Sequence, residues 1–115
     1  MEEKFVLQLK KGVLELLVLQ LICVRPTYGY ELLSVLREQS EGFLTLKEGT
    51  LYPILYRLED DGLIEASWTA PEGRAAPKKV YAPTEAGRQE CRRRWGLWNE
   101  LVRTVGLFAE GGEEA

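Results

Sequence analysis

The stretch "EGTLYPILYRLEDDGLIEASW", residues 48–68, decides how this chain folds. Its first half carries apolar residues at helical spacing, and Gly62 closes that run after two aspartates. From residue 63 to 68 apolar and polar residues alternate, which is typical of a strand. The helical half also contains Pro53, and a proline in a helix interior costs about 3 kcal/mol or more. The stretch therefore predicts a helix with an unusual amino end, followed directly by a strand.

The position of Pro53 leaves two starting points open for this helix. If the helix begins at Thr50, the proline lies in the first turn, where a missing N–H costs little. If it begins nearer Lys47, the proline removes one backbone hydrogen bond and bends the first turns. In both cases the proline stiffens the amino end, whose unpaired N–H groups attract phosphate.

Two further helices are predicted before this stretch. The run from Phe5 to Val24 is so densely apolar that a helix there is buried on more than one side. Pro26 ends it, and Thr27 is a candidate cap for a second helix from Tyr28 to Glu38. After that helix, "FLTL" at 43–46 is too short for an independent strand, but it can pair at the edge of a sheet.

Residues 63–68 and 78–83 are predicted to pair as a β-hairpin. "LIEASW" and "KKVYAP" are joined by "TAPEGRAAP", whose prolines and glycine favour a turn. Three helices followed by a hairpin are the elements of a winged helix-turn-helix, whose third helix enters the major groove of DNA. We therefore expect a mainly α fold with a small β-hairpin: a winged helix-turn-helix DNA-binding domain over 1–83, a long C-terminal dimerisation helix over 84–109 and a disordered tail over 110–115.

The last predicted helix has an apolar seam of its own. Thr84 is its candidate cap, and the seam residues are spaced alternately by four and three, which is a heptad pattern. The seam is long for a domain this small, so pairing with a second subunit is favoured over folding back onto the same domain. Its residues are Cys91, Trp95, Trp98, Val102, Val105 and Ala109, widened by Leu101 and Phe108.

The composition argues against catalysis, metal binding and a membrane location. The chain of 115 residues has no histidine, and its two cysteines fit no metal spacing, so we expect reduced, buried thiols and no metal or cofactor. No run reaches the roughly 18 apolar residues of a membrane helix, and a cytoplasmic protein is expected. The net charge is −3, but without the five glutamates near the two ends it becomes +2 for residues 4–109, so local patches can still meet phosphate.

Four stretches resemble the PadR family of transcriptional regulators: "YGYELL" (28–33), "EGTLYPILYRLEDDGLI" (48–64), "GR" (73–74) and "KKVYAPTEAG" (78–87). The second is the most specific, because it follows the family's signature GTLYP-x-L-x-RLE-x-x-GLI. The resemblance covers residues 5–109. It is closest to the short-chain branch, whose members dimerise through a single C-terminal helix and the first helix. The resemblance also implies that the third helix begins near Lys47.

Contacts with double-stranded DNA are expected from the third helix and from the hairpin. Arg57 offers a fork to a guanine edge or a phosphate, although it has the alternative of an ion pair with Asp60 or Asp61. The basic hairpin residues either reach phosphates or form an ordinary solvated loop. Of the two tyrosines that flank Gly29, one is expected to pack and the other to face phosphate. The predicted set is Tyr28, Tyr30, Lys47, Thr50, Tyr52, Pro53, Tyr56, Arg57, Arg74, Lys78 and Lys79.

Trp95 and Trp98 have two interpretations. Large aromatic side chains can fill the core of a dimer interface. Alternatively, each ring faces its own copy across the dimer axis, and the pair holds a planar aromatic effector. The second interpretation is implied by the resemblance, since some PadR-family regulators bind aromatic compounds between subunits, and it falls on Trp95 more than on Trp98.

These observations predict a homodimeric repressor that is released from DNA by a small aromatic effector. Its operator would be roughly palindromic, with half-sites about one helical turn, near 34 Å, apart. The alternative is a winged-helix protein-interaction module that dimerises without binding DNA. Such a module would carry exposed apolar residues where this chain has a basic hairpin.

Overall fold

A computed structural model describes residues 3–71 and 73–109. It confirms the predicted class, because four helices surround a small antiparallel sheet. The predicted tail over 110–115 lies outside the described residues. The elements are α1 (Lys4–Val24), β1 (Thr27–Tyr28), α2 (Gly29–Gln39), α3 (Glu48–Asp60), β2 (Ile64–Trp68), β3 (Lys79–Pro83) and α4 (Glu85–Gly106).

The sheet has a third strand that the sequence did not predict. β1 pairs antiparallel with β3, so the strand order is β1-β3-β2. Thr27 was expected to cap α2, but it lies in β1 and does not cap the helix. Its hydroxyl donates a 2.5 Å hydrogen bond to the carboxylate of Glu31. The prediction that residues 43–46 pair at the sheet edge is also wrong. They form a turn and an extended connection, while β1 holds the position beside β3.

Helix α3 begins at the earlier of the two predicted starts. Lys47 is its N-cap, and the carbonyl of Lys47 accepts from the N–H groups of Thr50 and Leu51 at 2.9 and 3.1 Å. Pro53 therefore lies in the second turn, where it has no N–H to donate to Gly49. Its ring is on the exposed side of the helix, away from the apolar core.

The carboxyl end of α3 is closed by Gly62. This glycine has a φ of +75°, and its N–H donates to the carbonyl of Glu59 at 3.0 Å. The N–H of Leu63 donates to the carbonyl of Leu58 at 2.9 Å, which completes a Schellman motif. The chain thus turns sharply from the helix into β2, as the "DDG" sequence predicted.

Helix α4 is seated on this same turn. Thr84 caps it as predicted, since its hydroxyl accepts from the N–H of Gly87 at 3.0 Å and donates to the carbonyl of Gly62 at 2.7 Å. A Cβ on Gly87 would lie only 1.9 Å from the carbonyl oxygen of Leu63, so only glycine allows this close approach. The end of α3 therefore fixes where α4 starts.

The core is built around α3 and α1. As the helical spacing predicted, Leu51, Leu55 and Leu58 are buried. They pack with apolar residues of α1, α2 and the sheet, and the fully buried side chains are Val18, Leu19, Ile22, Leu32, Leu51, Leu55, Leu58, Ile64 and Tyr81. No helix in the described part of the chain is long and apolar enough to cross a membrane.

Candidate nucleic-acid interface

The amino half of α3 presents an open, polar surface. Lys47, Thr50, Pro53 and Tyr56 are all exposed, because the apolar positions of the helix turn toward the core on the opposite side. The first N–H groups of α3 receive no side-chain cap. A helix end of this kind attracts phosphate through its unpaired N–H groups and the helix dipole.

Tyr52 and Tyr56 have different surroundings. The Tyr52 hydroxyl lies against the first residue of α2, where a Cβ added to Gly29 would come within 2.5 Å of it. Tyr52 is half-buried and holds the starts of α2 and α3 together. Tyr56 has its ring centroid 6.4 Å from that of Tyr52 and is 59% exposed. Of the two predicted phosphate donors, Tyr56 has the more accessible hydroxyl.

Arg57 is ion-paired, but not with the partners that the sequence suggested. Its Nε donates to Oε2 of Glu15 on α1 at 2.8 Å, whereas Asp60 and Asp61 are not its partners in the described structure. Glu15 also lies 3.5 Å from Arg94 of α4. Arg57 thus stands on the edge of α3 that faces α1, and its contact with DNA stays a prediction.

The structure distinguishes the two tyrosines around Gly29. Tyr28 is half-buried in β1, and the Lys78 ammonium lies 4.6 Å from the centre of its ring. Tyr30 is 70% exposed on the first turn of α2. Tyr28 therefore packs beside the hairpin and Tyr30 is the more exposed of the two, while a contact of Tyr30 with phosphate stays a prediction.

The two lysines of the hairpin lie on opposite sides of the sheet. Lys78 leans over Tyr28, whereas the Lys79 ammonium lies 5.6 Å from the ring centre of Tyr81. Lys78 directly precedes β3, and the two ammonium groups lie over different tyrosine rings, as the alternation of side chains along an extended chain predicts. Arg74 is exposed in the connecting loop, directly after Gly73, whose φ is +56°.

The inner face of the hairpin meets α3 through Tyr81. Its ring is buried, and burial together with the nearby Glu59, Tyr52 and Tyr56 raises the pKa of its phenol. These three neighbours belong to α3, so the inner face of the hairpin packs toward α3 at Tyr81. Lys79 lies on the same face of the hairpin.

The two tryptophans of α4 do not share a slot within one chain. The Trp95 indole N–H donates to Oε1 of Gln20 at 2.8 Å, and the same oxygen accepts from the Cys91 thiol at 3.3 Å. Trp95 borders a cavity of about 340 Å³ between α1, α2 and α4. Trp98 borders a separate, largely apolar groove of about 700 Å³ that α1, α4 and Phe43 line. Any slot flanked by both rings would need a second chain.

The predicted dimer seam is divided in the same way. Cys91 is buried in its own core; burial and the neighbouring Cys23 thiol raise its pKa to about 11. Farther along α4 the seam is open, with Val102 52% exposed and Phe108 84% exposed. Leu101 and Val105 are exposed too. Neither cysteine forms a disulfide, and the described residues hold no cluster of His, Cys, Asp and Glu suited to a metal ion.

Sequence reasoning missed the partners that α1 supplies. Glu15 and Gln20 lie within the densely apolar run of α1 and were given no role, yet they bind Arg57, Arg94 and Trp95. A polar residue inside a buried helix needs a hydrogen-bond partner, which is the signal that could have flagged them. Which residue answers it depends on how α3 and α4 cross α1.

The chain is similar to known transcription factors along most of its length. The model of the family described as "Transcriptional regulator PadR-like family" matches residues 18–93. A negative transcriptional regulator PadR of Bacillus subtilis is 33% identical over 78 residues, which are 68% of this chain and 42% of that protein.

Solved structures give the same result for the fold. A PadR family transcriptional regulator from Eggerthella lenta superposes with a TM-score of 0.81 at 34% identity, covering 93% of this chain and 90% of that one. A PadR-like transcriptional regulator from Bacillus cereus gives a TM-score of 0.77 at 33% identity, covering 90% and 98%.

Proposed function

The chain belongs to the PadR-like family of transcriptional regulators, and we propose that it is a homodimeric, cytoplasmic repressor that binds a roughly palindromic DNA site. The family is one of transcription regulators and not of enzymes. The observation that carries the DNA-binding proposal is the exposed amino half of α3 beside a cationic hairpin. Repression is supported by the similarity to a negative regulator from Bacillus subtilis.

The proposed interface has a centre and two flanks. Thr50, Pro53 and Tyr56 on α3 enter the major groove, and the unpaired N–H groups at the amino end of α3 meet phosphate. On one flank, Tyr30 contacts a phosphate. On the other flank, phosphates on both sides of the hairpin are bound by Arg74, Lys78 and Lys79. Residues 1–83 form the DNA-binding unit in this proposal, and α4 pairs the two subunits.

The effector proposal is a planar aromatic molecule bound beside the tryptophans of α4. Trp98 lies on the larger apolar groove, and Trp95 on the smaller cavity. A planar cationic dye that binds there should quench tryptophan fluorescence to saturation, through stacking and cation–π attraction. Loss of the saturable phase in Trp98→Ala but not in Trp95→Ala would place the site in the groove, and loss only in Trp95→Ala would place it in the cavity. If the dye does not bind the unaltered protein or either variant, planar aromatic molecules are excluded as the effector.

The test of DNA binding is affinity as a function of salt, measured on duplexes selected from random DNA. Each phosphate that the protein neutralises contributes about −0.9 to the slope of log affinity against log salt concentration. Lys78→Ala with Lys79→Ala should weaken binding to all duplexes and reduce the steepness of that slope.

Arg57→Ala distinguishes base recognition from a structural ion pair. If the guanidinium leaves Glu15 to read a base, this variant loses more affinity for the selected duplex than for random DNA. If the pair with Glu15 only joins α3 to α1, Glu15→Gln should lower the melting temperature in the same way. No binding to any duplex at low salt would favour the protein-interaction module over the repressor.

A further inference from the structure

Trp68 is a large aromatic side chain that the interface described above leaves out. It ends β2, lies directly opposite Lys79 and is 67% exposed. Single exposed apolar residues are ordinary on protein surfaces. The position of Trp68 is unusual, because it lies where the hairpin extends beyond the core and among the cationic residues of the hairpin.

Strand alternation shows which way Trp68 faces. Residues that pair directly across antiparallel strands share a face, and the two pairs Ala66 with Tyr81 and Trp68 with Lys79 are two residues apart. Trp68 therefore shares the inner face with Tyr81, whose phenol lies near α3. Along this face the side chains pass from the buried Tyr81 to the open Trp68 as the hairpin projects past the core.

Lys79 adds a charge beside the indole. Its ammonium lies 5.6 Å from the centre of the Tyr81 ring, so the cation is on the inner face that Trp68 shares. The inner face of the hairpin thus carries a cation and, directly opposite it on the neighbouring strand, an exposed flat apolar surface. A nucleic-acid backbone offers the matching surfaces, since anionic phosphates alternate with apolar deoxyribose rings.

We propose that Trp68 is a DNA-contact residue that lays its indole against a deoxyribose ring while Lys79 binds the adjoining phosphate. The inference rests on the proposed function, because it assigns a further residue to the same interface. The contact is neutral and independent of sequence. It strengthens the binding of the hairpin to the DNA backbone, and it contributes to affinity without reading bases.

A neutral contact has a signature that a charged one lacks. Trp68→Ala should weaken binding to selected and random duplexes by a similar factor, about tenfold, with an unchanged salt slope. Lys79→Ala should instead reduce the steepness of the slope by about 0.9. Trp68→Phe, which keeps a flat ring, should retain most of the affinity. Ser67→Ala is the matched control, since Ser67 is exposed on the opposite face of the same strand, and it should bind like the unaltered protein.

Shielding of the indole gives a second readout. Acrylamide is uncharged and quenches exposed tryptophans by collision, so an excess of random duplex should protect one tryptophan in the unaltered protein. Trp68→Phe leaves the half-buried Trp95 and Trp98 in place and should abolish that protection. Melting temperature and sedimentation of each variant are measured alongside.

The outcomes separate this inference from the function on which it rests. Normal DNA affinity of Trp68→Ala, with no acrylamide protection in the unaltered protein, overturns the role of Trp68 and leaves the repressor proposal standing. A lower melting temperature or a changed oligomeric state that accounts for the lost affinity also overturns it, because the indole would then be a structural or protein contact. If the unaltered protein binds no duplex at low salt, both proposals fall.

Discussion

The two halves of α4 continue one heptad pattern but have opposite environments. In the amino half, Cys91 is buried and Trp95 is hydrogen-bonded to Gln20 of the same chain. In the carboxyl half, Val102 and Phe108 are exposed. An apolar period identifies the face of a helix that will be buried, but it does not identify the partner. Here the first three turns meet their own domain, and we propose that the remaining turns meet a second subunit.

The cause of the difference is where α4 is anchored. Thr84 and Gly87 fix the start of the helix on the turn after α3, which brings its first turns alongside α1. The helix has 22 residues and is about 33 Å long at 1.5 Å per residue, so it extends beyond the small domain against which it packs. Its end therefore exposes apolar side chains that no described residue of the same chain covers.

Gly87→Ala should disrupt the packing of the amino half of α4, and we expect it to have the largest effect of the variants proposed here. Its Cβ would meet the backbone oxygen of Leu63 at 1.9 Å, and backbone cannot give way like a flexible side chain. We expect the free energy of unfolding, measured by urea denaturation, to fall by about 3 kcal/mol. Gly96→Ala is the control on the same helix, because no described atom beyond its chain neighbours and the adjacent backbone of α4 lies within 4 Å of a Cβ there. In the isolated chain that change should add about 1 kcal/mol. Equal effects at the two glycines would contradict the anchoring of α4.

Val102→Glu should disrupt the proposed subunit contact of the carboxyl half of α4 without unfolding the chain. Two new carboxylates would be buried in the proposed interface, and dimerisation should weaken by about 100-fold or more. The monomer should stay folded, since Val102 is 52% exposed in a single chain. Sedimentation velocity and circular dichroism measure the two quantities together. Asn99→Glu, also exposed on α4, is the control for added charge. A folded and fully dimeric Val102→Glu protein would place the interface elsewhere.

Gln20→Met sharpens the account of why Trp95 folds back. The methionine fills a similar volume but cannot accept from the indole N–H of Trp95 or the thiol of Cys91. Leaving these partly buried donors unpaired should cost about 1–2 kcal/mol in unfolding free energy, with dimer affinity unchanged. Gln89→Met on the exposed side of α4 should cost much less. A loss of dimerisation instead of stability would mean that Trp95 serves the subunit interface.

Glu90 provides a smaller, pH-dependent test of the anchored half. Hydrogen bonds from Arg93 and then Arg94 lower the pKa of its carboxyl from 4.5 to about 2. A carboxyl whose pKa is lower in the folded state stabilises the fold above the unfolded pKa, and that contribution disappears as the pH falls. Glu90→Gln should therefore make stability decline less steeply between pH 4.5 and about 2. Arg93→Gln, which removes the larger cause, should have an intermediate effect on thermal unfolding over the same range. An unchanged pH dependence in both variants would show that the two ion pairs add nothing to the fold.

Much of the fold could be predicted because its signals are local. The alternation at 63–68, the glycine after "DD" and the cap at Thr84 each depend on neighbours within a few residues, and each was found where it was expected. β1 was missed because a two-residue strand has no period of its own and exists only beside β3. Thr27 was interpreted as a helix cap and Tyr28 as the start of the helix, since a threonine before a helix usually serves as its cap.

The candidate site was less predictable than the fold. The sequence named the residues on the exposed side of α3 and the cations of the hairpin. It grouped Lys78 with Lys79, which lie over different rings, and it did not single out Trp68, the DNA contact proposed above, which lies opposite Lys79. Strand alternation was available to correct the first point. The second needed the register of β2 against β3, which depends on the length of the loop between them.

The sequence by itself determined the order of the four helices and the two hairpin strands, the apolar face of each helix and the family, because these follow from local propensity, apolar periodicity and a signature at 48–64. Only the tertiary structure decided the partner of each polar or aromatic side chain. Arg57 pairs with Glu15, Trp95 with Gln20, and the seam of α4 changes from one environment to another along a single helix. The physical reason is distance along the chain. These contacts join residues more than 40 positions apart, and the angles at which α3 and α4 cross α1 are set by the packing of the whole core.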